Sequence, residues 1–189
     1  MNPKDKKRYA QELLDFLPLK TSGNLLDVGC GKEEFLVKEG RKRGFRARGI
    51  DPLINTDLEH FKTEEKFDVL VLKHVLEHIS DLDRFLNKCR DLLKSQGLIL
   101  ISCPNIKSLM YFIFRSRWYG LQPTQHVWQF TPELLKKVLE KNNFKILKSK
   151  INSLDYQVKG VKGIVFKILL AMAKILPVGD QLVVVAKKN

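Results

Sequence analysis

The feature that most restricts the fold is a set of short apolar runs that lack the polar alternation of a half-exposed strand. Asn24–Val28, Asp68–Leu72 and Leu98–Ser102 are nearly continuous in leucine, isoleucine and valine. A strand apolar on both faces must be covered on both, which is the condition of a parallel sheet between helices. Stretches of helical period separate these runs. Lys6–Leu17 puts Tyr9, Leu13, Leu14, Phe16 and Leu17 on its apolar positions, with Pro18 beyond its end. Glu33–Arg43 is stopped by Gly44, and Phe45–Ile50 follows as a strand. Asp81–Leu93 carries an apolar face of Leu82, Phe85, Leu86, Cys89, Leu92 and Leu93, with Gly97 as its expected cap. Strand and helix in alternation predict a Rossmann-like, doubly wound and mostly parallel α/β sheet.

Leu53–Lys66 has room only for a minimal strand around Ile54–Leu58. Thr131-Pro132-Glu133 opens a further helix with a capping threonine and proline in the first turn. Phe144–Leu147 and Gln181–Ala186 read as the last two strands. With no repeat or linker, residues 1–189 are expected to form one domain: a first half to about 103, an irregular insertion over about 104–130, and a helix over about 159–176.

Composition excludes several classes. A chain of 189 residues with 44% hydrophobic content can bury a core, so disorder is not expected. The N-terminal residues offer no apolar run for a signal peptide, and the apolar stretch Gly163–Val178 is interrupted by Lys167 and Lys174. Cys30, Cys89 and Cys103 form no CxxC pair, which fits a reduced, cytoplasmic compartment. The formal charge of +13 concentrates at Lys4–Arg8, Arg41–Arg48 and Lys145–Lys150. It suggests an anionic partner, RNA or an anionic membrane surface, against the plainer reading of lysines that solvate helices. Lys159–Leu176 is a basic amphipathic pattern, suited to peripheral membrane contact, to closing over a pocket, or to packing on the domain.

In open parallel sheets, ligands lie beyond the carboxyl ends of the strands. Asp27–Gly31, Asp51 and Lys73–His74 occupy such ends. Gly29 and Gly31 allow close approach of backbone to a ligand, and Asp51, about two dozen residues on, suits ribose hydroxyls. A dinucleotide fingerprint would need glycine at position 34, where this chain has Glu34. Glu33 and Glu34 would repel a pyrophosphate at the helix start, so a cofactor without phosphates and with a cationic centre fits better.

The segments LLDVGCGK, RGIDPL and FDVLVLKHVLEHISDLDRFLNKCRDLLKSQGLILISCPN together resemble the class I S-adenosylmethionine-dependent methyltransferases. The likeness is to the branch with a VLEHI motif and a Pro-Asn pair after the fifth strand. It runs over roughly residues 22–150, through QHVWQFTPELLKKVLEKNNF, and the closing DQLVVVAKK matches the usual last strand. The resemblance implies a seven-stranded-type sheet whose last strand is antiparallel, and S-adenosylmethionine as cofactor. It places Asp27, Gly29, Cys30 and Gly31 at the methionine end and Asp51, with Pro52, at the ribose. Asp57 would meet the adenine amino group, Leu58 the ring, and Lys73 would lie beneath the sulfur. Glu33 stands where the family usually has glycine, and the shortened Leu53–Lys66 segment leaves the adenine side more open.

An alcohol or phenol acceptor must lose a proton, so a base is expected close by. His74, Glu77 and His78 stand at i, i+3 and i+4, and His126 lies further on. In one reading His74 and His126 serve as base and substrate contact. In a second, His74, Glu77, His78 and His126 hold a divalent metal, as the resemblance implies for enzymes that methylate the 3′ end of small RNAs, which carry glutamate at the position of His74. In a third, Glu77 and His78 only fix the turn. Met110–Trp128 is dense in aromatics, and Arg115, Trp118 and Tyr119 with His126 are its candidate substrate residues, although Phe112, Phe114 and Trp118 also suit a core. The expected activity is O-methylation of a small molecule, lipid- or sugar-linked. RNA methylation and a non-catalytic cofactor-binding module are the alternatives.

Overall fold

The computed structural model describes residues 3–18, 22–152 and 178–189, so the helix expected over Lys159–Leu176 lies outside the described residues. Helix α1 (Pro3–Asp15) leads into β1 (Asn24–Val28), α2 (Phe35–Lys42), β2 (Arg46–Ile50) and β3 (Phe67–Lys73). Then come α3 (Leu82–Leu92), β4 (Leu93–Pro104), α4 (Leu109–Phe114), α5 (Pro132–Lys141), β5 (Phe144–Asn152) and β6 (Gln181–Lys188). The sheet order is β2-β1-β3-β4-β6-β5. Pairings β1–β2, β1–β3 and β3–β4 are parallel, and β6 runs antiparallel to both β4 and β5.

The pleat divides the strand residues between two cores. Leu26, Val28, Leu70, Leu72, Ile99 and Ile101 face Leu82, Leu86 and Cys89 of α3 and Leu135 and Leu139 of α5. Leu25, Val69, Val71, Leu100, Val183 and Val185 face Tyr9, Leu13 and Leu14 of α1 and Leu36 and Val37 of α2. Both faces are covered, as the unalternating runs require. Asp81 caps α3 by accepting from the Arg84 amide at 3.0 Å, and Thr131 caps α5 by accepting from the Leu134 amide at 3.1 Å. No helix among the described residues is long and apolar enough to cross a membrane.

Three local expectations are corrected. Ile54–Leu58 forms turns, so the described sheet has six strands instead of seven. The amides of Ile54 and Asn55 donate to the Asp51 carbonyl at 3.0 and 3.1 Å and that of Thr56 to Asn55 Oδ1 at 2.7 Å; these local bonds replace a strand ladder. Gly97 does not cap α3, because β4 begins at Leu93 and the left-handed residue is Gln96, φ 65°. A Cβ on Gly97 would lie 3.0 Å from the Leu93 side chain and the Lys94 carbonyl, so close packing is what needs glycine there. Finally, β5 runs on to Asn152 past a register shift between Ile146 and Lys148. Its exposed lysines, Lys145 and Lys148, blunt the open edge.

Leu70 is fully buried in a central strand, whereas Leu53 is 79% exposed. Leu70→Ala should cost about 2–5 kcal/mol of unfolding free energy in urea titration, and Leu53→Ala less than about 0.5 kcal/mol.

Candidate functional site

The chain leaves β1 in a turn built by glycine. Gly29 and Gly31 adopt φ of 78° and 64°, a region that other residues rarely enter. The amides of Gly29 and Cys30 both donate to the Ile50 carbonyl, at 2.8 and 3.2 Å. The Gly31 amide donates to Asp51 Oδ2 at 3.0 Å, and Asp51 Oδ1 accepts from the Leu53 amide at 2.9 Å. Asp51 therefore ties the glycine turn to the end of β2 while keeping lone pairs for a ligand. Pro52, next to it, is exposed. Cys30 packs on Gly49, where a Cβ would come within 2.6 Å of its sulfur. Burial, with Asp27 and Asp51 nearby, pushes the Cys30 thiol up to about 12, so it is a packing group and not a nucleophile.

The family's missing glycine has a visible consequence. Glu33 turns away and accepts from Lys6 of α1 at 2.8 Å. Glu34 takes the left-handed backbone, φ 49°, at the start of α2, with no side-chain cap. Asp57 is half-exposed; bonds from the backbone and ring of His60 hold its carboxyl below the usual carboxylate range. Leu58 joins the core that contains Ile50 and Phe61, and with Asp57, His78 and Arg84 it borders a cleft of about 440 Å³.

A row of polar groups crosses the carboxyl end of the sheet on the α1 face. Asp27 is 1% exposed, and neither carboxylate oxygen has a hydrogen-bond partner. Burial pushes its carboxyl up to about 7, against the opposing pull of Lys73. Burial also lowers the Lys73 ammonium, whose nitrogen lies 5.6 Å from the centre of the Tyr9 ring. The Tyr9 hydroxyl bonds Ser102 Oγ at 2.6 Å and donates to Gln181 Oε1 at 3.3 Å. The sequence pattern alone places Tyr9 among the apolar positions of its helix and gives Ser102 and Gln181 no role; the signal for those two is a polar residue at the end of an otherwise apolar strand.

The histidines separate into two groups. Residues Leu76–His78 form a single 3-10 turn, and His74 precedes it with φ 53°, its amide donating to the Ser102 carbonyl at 2.8 Å. His74 Nδ1 meets Glu77 Oε1 at 2.9 Å. Glu77 is 1% exposed and its Oε2 has no partner. His78 and His126 lie edge-on at 4.7 Å, with their Nδ1 atoms on the carbonyls of Gln125 and Gly120 at 3.0 and 2.8 Å. Ligand atoms of Glu77, His78 and His126 lie within 4.8 Å of one another; His74 is outside that group but shares Glu77 with it.

In the insertion, Trp118 and Met110 form a small core of their own, separate from both sheet faces. The Trp118 indole N–H is buried without a partner. The Tyr119 hydroxyl donates to Asp180 Oδ2 at 3.0 Å and also meets Gln181. Phe112 and Phe114 are exposed, and the Arg115 guanidinium lies 4.7 Å from the Phe112 ring centre. Trp118 is thus core and Phe112 and Phe114 are surface. A groove of about 980 Å³ between α5, β5 and β6 includes none of the glycine-turn residues.

The Asp27 carboxyl keeps its proton to about pH 7 when folded, but only to about pH 4 when unfolded. The folded state therefore binds more protons over that range, and this group's contribution to stability falls as pH rises from 4 to 7. Asp27→Asn should remove the decline. In urea titrations the variant should gain on the wild type between pH 5 and pH 8, by an amount of order 1–4 kcal/mol. Parallel pH profiles for the two proteins would contradict this.

The sequence profile of a family described as "Methyltransferase domain" matches residues 1–149. The mitochondrial ubiquinone biosynthesis O-methyltransferase of Bos taurus is 28% identical over 152 residues, covering 65% of this chain and 41% of that protein. The ubiquinone biosynthesis O-methyltransferase of Bradyrhizobium sp. (strain ORS 278) is 29% identical over 150 residues, covering 65% and 58%. The chain thus spans about half the length of these relatives. Among solved structures, a SAM-dependent methyltransferase from Archaeoglobus fulgidus superposes with a TM-score of 0.68 at 23% identity, covering 97% of this chain and 94% of that one. An S-adenosylmethionine-dependent methyltransferase from Mesorhizobium loti gives a TM-score of 0.67 at 16% identity, covering 94% and 96%. The profile spans most of the chain and the sheet carries the same architecture, so the protein belongs to the methyltransferase-domain family, with the class I S-adenosylmethionine-dependent fold.

Proposed function

We propose that this chain transfers the methyl group of S-adenosylmethionine to a hydroxyl oxygen of a small-molecule acceptor. The observation that carries the reading is the half-buried His74 imidazole, bonded through Nδ1 to the buried Glu77 carboxylate at 2.9 Å. The O-methyltransferase names of the relatives agree with it. The residues also fit the cofactor. Asp27 offers two buried carboxylate oxygens without donors, which suit an ammonium, and the Gly29–Gly31 turn leaves room for close backbone approach.

When bound, S-adenosylmethionine supplies an electrophilic methyl group on a cationic sulfonium. Asp27 accepts protons of the ammonium, and the backbone of Gly29, Cys30 and Gly31 borders the methionine end. Asp51, already fixed by the Gly31 and Leu53 amides, turns its remaining lone pairs to the ribose hydroxyls, beside Pro52. Asp57 and Leu58 edge the adenine. On the acceptor side, His74 Nε2 takes the hydroxyl proton while Glu77 holds the Nδ1 proton and stabilises the imidazolium. Tyr119, His126 and Arg115 are the acceptor-side candidates of the insertion, while Trp118, 3% exposed, packs beneath them as core.

A second reading has a specific observation behind it. A backbone carbonyl can only accept, so Nδ1 of His78 and of His126 must each carry the proton. That leaves their Nε2 lone pairs free beside the unpartnered Glu77 Oε2, a donor set suited to a divalent cation that would acidify the acceptor hydroxyl.

Calorimetry should show binding of S-adenosylmethionine, weakened about 10- to 100-fold by Asp51→Ala. Absence of binding by the wild type would overturn the cofactor reading, and binding without transfer to any hydroxyl acceptor would make the chain a binding module. With phenolic acceptors, His74→Ala should lower kcat about 10²- to 10⁴-fold with cofactor affinity within about twofold. Elemental analysis and activity before and after chelation separate the base from the metal. Loss of activity restored by a divalent cation in the wild type, with metal content lost in His126→Ala, supports Glu77, His78 and His126 as ligands; full activity in metal-free protein removes that reading.

A further inference from the structure

We infer that Lys73 fixes the α-carboxylate of the cofactor's amino-acid end and forms with Asp27 a pair of opposite charges matched to a zwitterion. The inference rests on the cofactor reading above and adds a residue role to it. Asp27 and Lys73 end adjacent strands, β1 and β3, in a register that pairs Asp27 with Val71 and Val28 with Leu72. Alternation along β3 places Lys73 on the side of Val69 and Val71, the α1 face, which also receives Asp27. The two side chains therefore emerge on one face, one step apart across the ladder and at its ligand-binding end.

Neither group is hydrogen-bonded or ion-paired among the described residues. Both Asp27 oxygens are buried without donors. The Lys73 ammonium makes no hydrogen bond or ion pair with any described residue; its nitrogen lies 5.6 Å from the centre of the Tyr9 ring, and Asp27 is the strongest of the opposite charges that act on it. Two opposite charges on neighbouring strands would normally close into an ion pair, since each pays heavily for burial alone. Here they stay apart, which leaves space for a group that is positive toward Asp27 and negative toward Lys73.

The other charges around Lys73 do not offer the same service. Lys6 is held by Glu33 at 2.8 Å, and that pair also accounts for Glu33. Glu77 directs Oε1 to His74 and would in any case repel a carboxylate. Tyr9 is immobilised by Ser102 and Gln181, so its ring closes one side of the ammonium and restricts where the N–H bonds can point. An α-amino acid end, with its two charges on one carbon, fits this arrangement; a neutral thioether tail does not.

The test uses two ligands that share the adenosyl thioether and differ in the amino-acid end: S-adenosylhomocysteine and 5′-methylthioadenosine. Calorimetry on the full chain should show Lys73→Met weakening S-adenosylhomocysteine about 10- to 100-fold while 5′-methylthioadenosine changes less than about twofold, which also shows that the variant is folded. Lys73→Arg should restore most of the loss. Equal weakening of both ligands, or of neither, overturns the assignment. Failure of the wild type to bind either ligand removes the cofactor reading and this role with it.

Discussion

The site depends on one backbone acceptor. The Ile50 carbonyl at the end of β2 takes the amides of both Gly29 and Cys30, and Asp51 next to it takes the amide of Gly31. Three consecutive amides of the first turn are thereby tied to the neighbouring strand before any ligand arrives. This is possible only because the turn bends back over the sheet edge, which the positive φ of Gly29 and Gly31 permits. Contact is close: a Cβ at Gly29 would lie 2.7 Å from Val75, and one at Gly49 would strike the Cys30 sulfur. The same lock positions Asp51, so the carboxylate proposed for the ribose and the turn proposed for the methionine end are set by one group of bonds.

Around that lock the protein keeps charge where packing alone would exclude it. Asp27, Lys73, Ser102 and Gln181 lie in β1, β3, β4 and β6, covered by Tyr9 from α1. Ser102 and Gln181 are satisfied through Tyr9, whereas both oxygens of Asp27 are buried without a partner among the described residues. An unpaired buried carboxylate costs free energy, and its displaced titration is the sign of that cost. The two large apolar cores on either side of the sheet allow the fold to carry the cost, and ligand charges can return it on binding.

Much of the sheet was legible in the sequence because burial on both faces writes itself as an unbroken apolar run. Asn24–Val28 has the same bounds as expected, and Asp81 begins α3 as its cap chemistry indicates. What stayed hidden depends on contacts remote in sequence. Ile54–Leu58 offers room for a strand, but the Ile54 and Asn55 amides close turns on the Asp51 carbonyl and the Thr56 amide goes to Asn55 Oδ1. The departure from the family glycine was read at position 33, yet the backbone places its left-handed residue at Glu34. The spacing of His74, Glu77 and His78 suggested one helical face; a 3-10 turn keeps His74 with Glu77 and sends His78 toward the insertion. Tyr9 and Gln181 were silent because each has an ordinary local role, and only the crossing of α1 over β4 and β6 brings them together.

The insertion has a different relation to stability from the rest of the molecule. Trp118 and Met110 form a core that shares no buried residue with either face of the sheet. The segment is fastened to the domain by Tyr119 on Asp180, by the Trp128 indole on the Ile79 carbonyl at 2.8 Å and the Trp128 amide on the Glu77 carbonyl at 3.1 Å, and by Phe130, which is buried in the α3-side core. Side chains on its surface, such as Phe112 and Arg115, belong to neither core of the sheet. On the proposed reading, substitution of the exposed Phe112 or Arg115 changes the acceptor side of the site, whereas a change in the Gly29–Gly31 turn moves Asp51 with it, because the Gly31 amide and the Asp51 carboxylate share one bond.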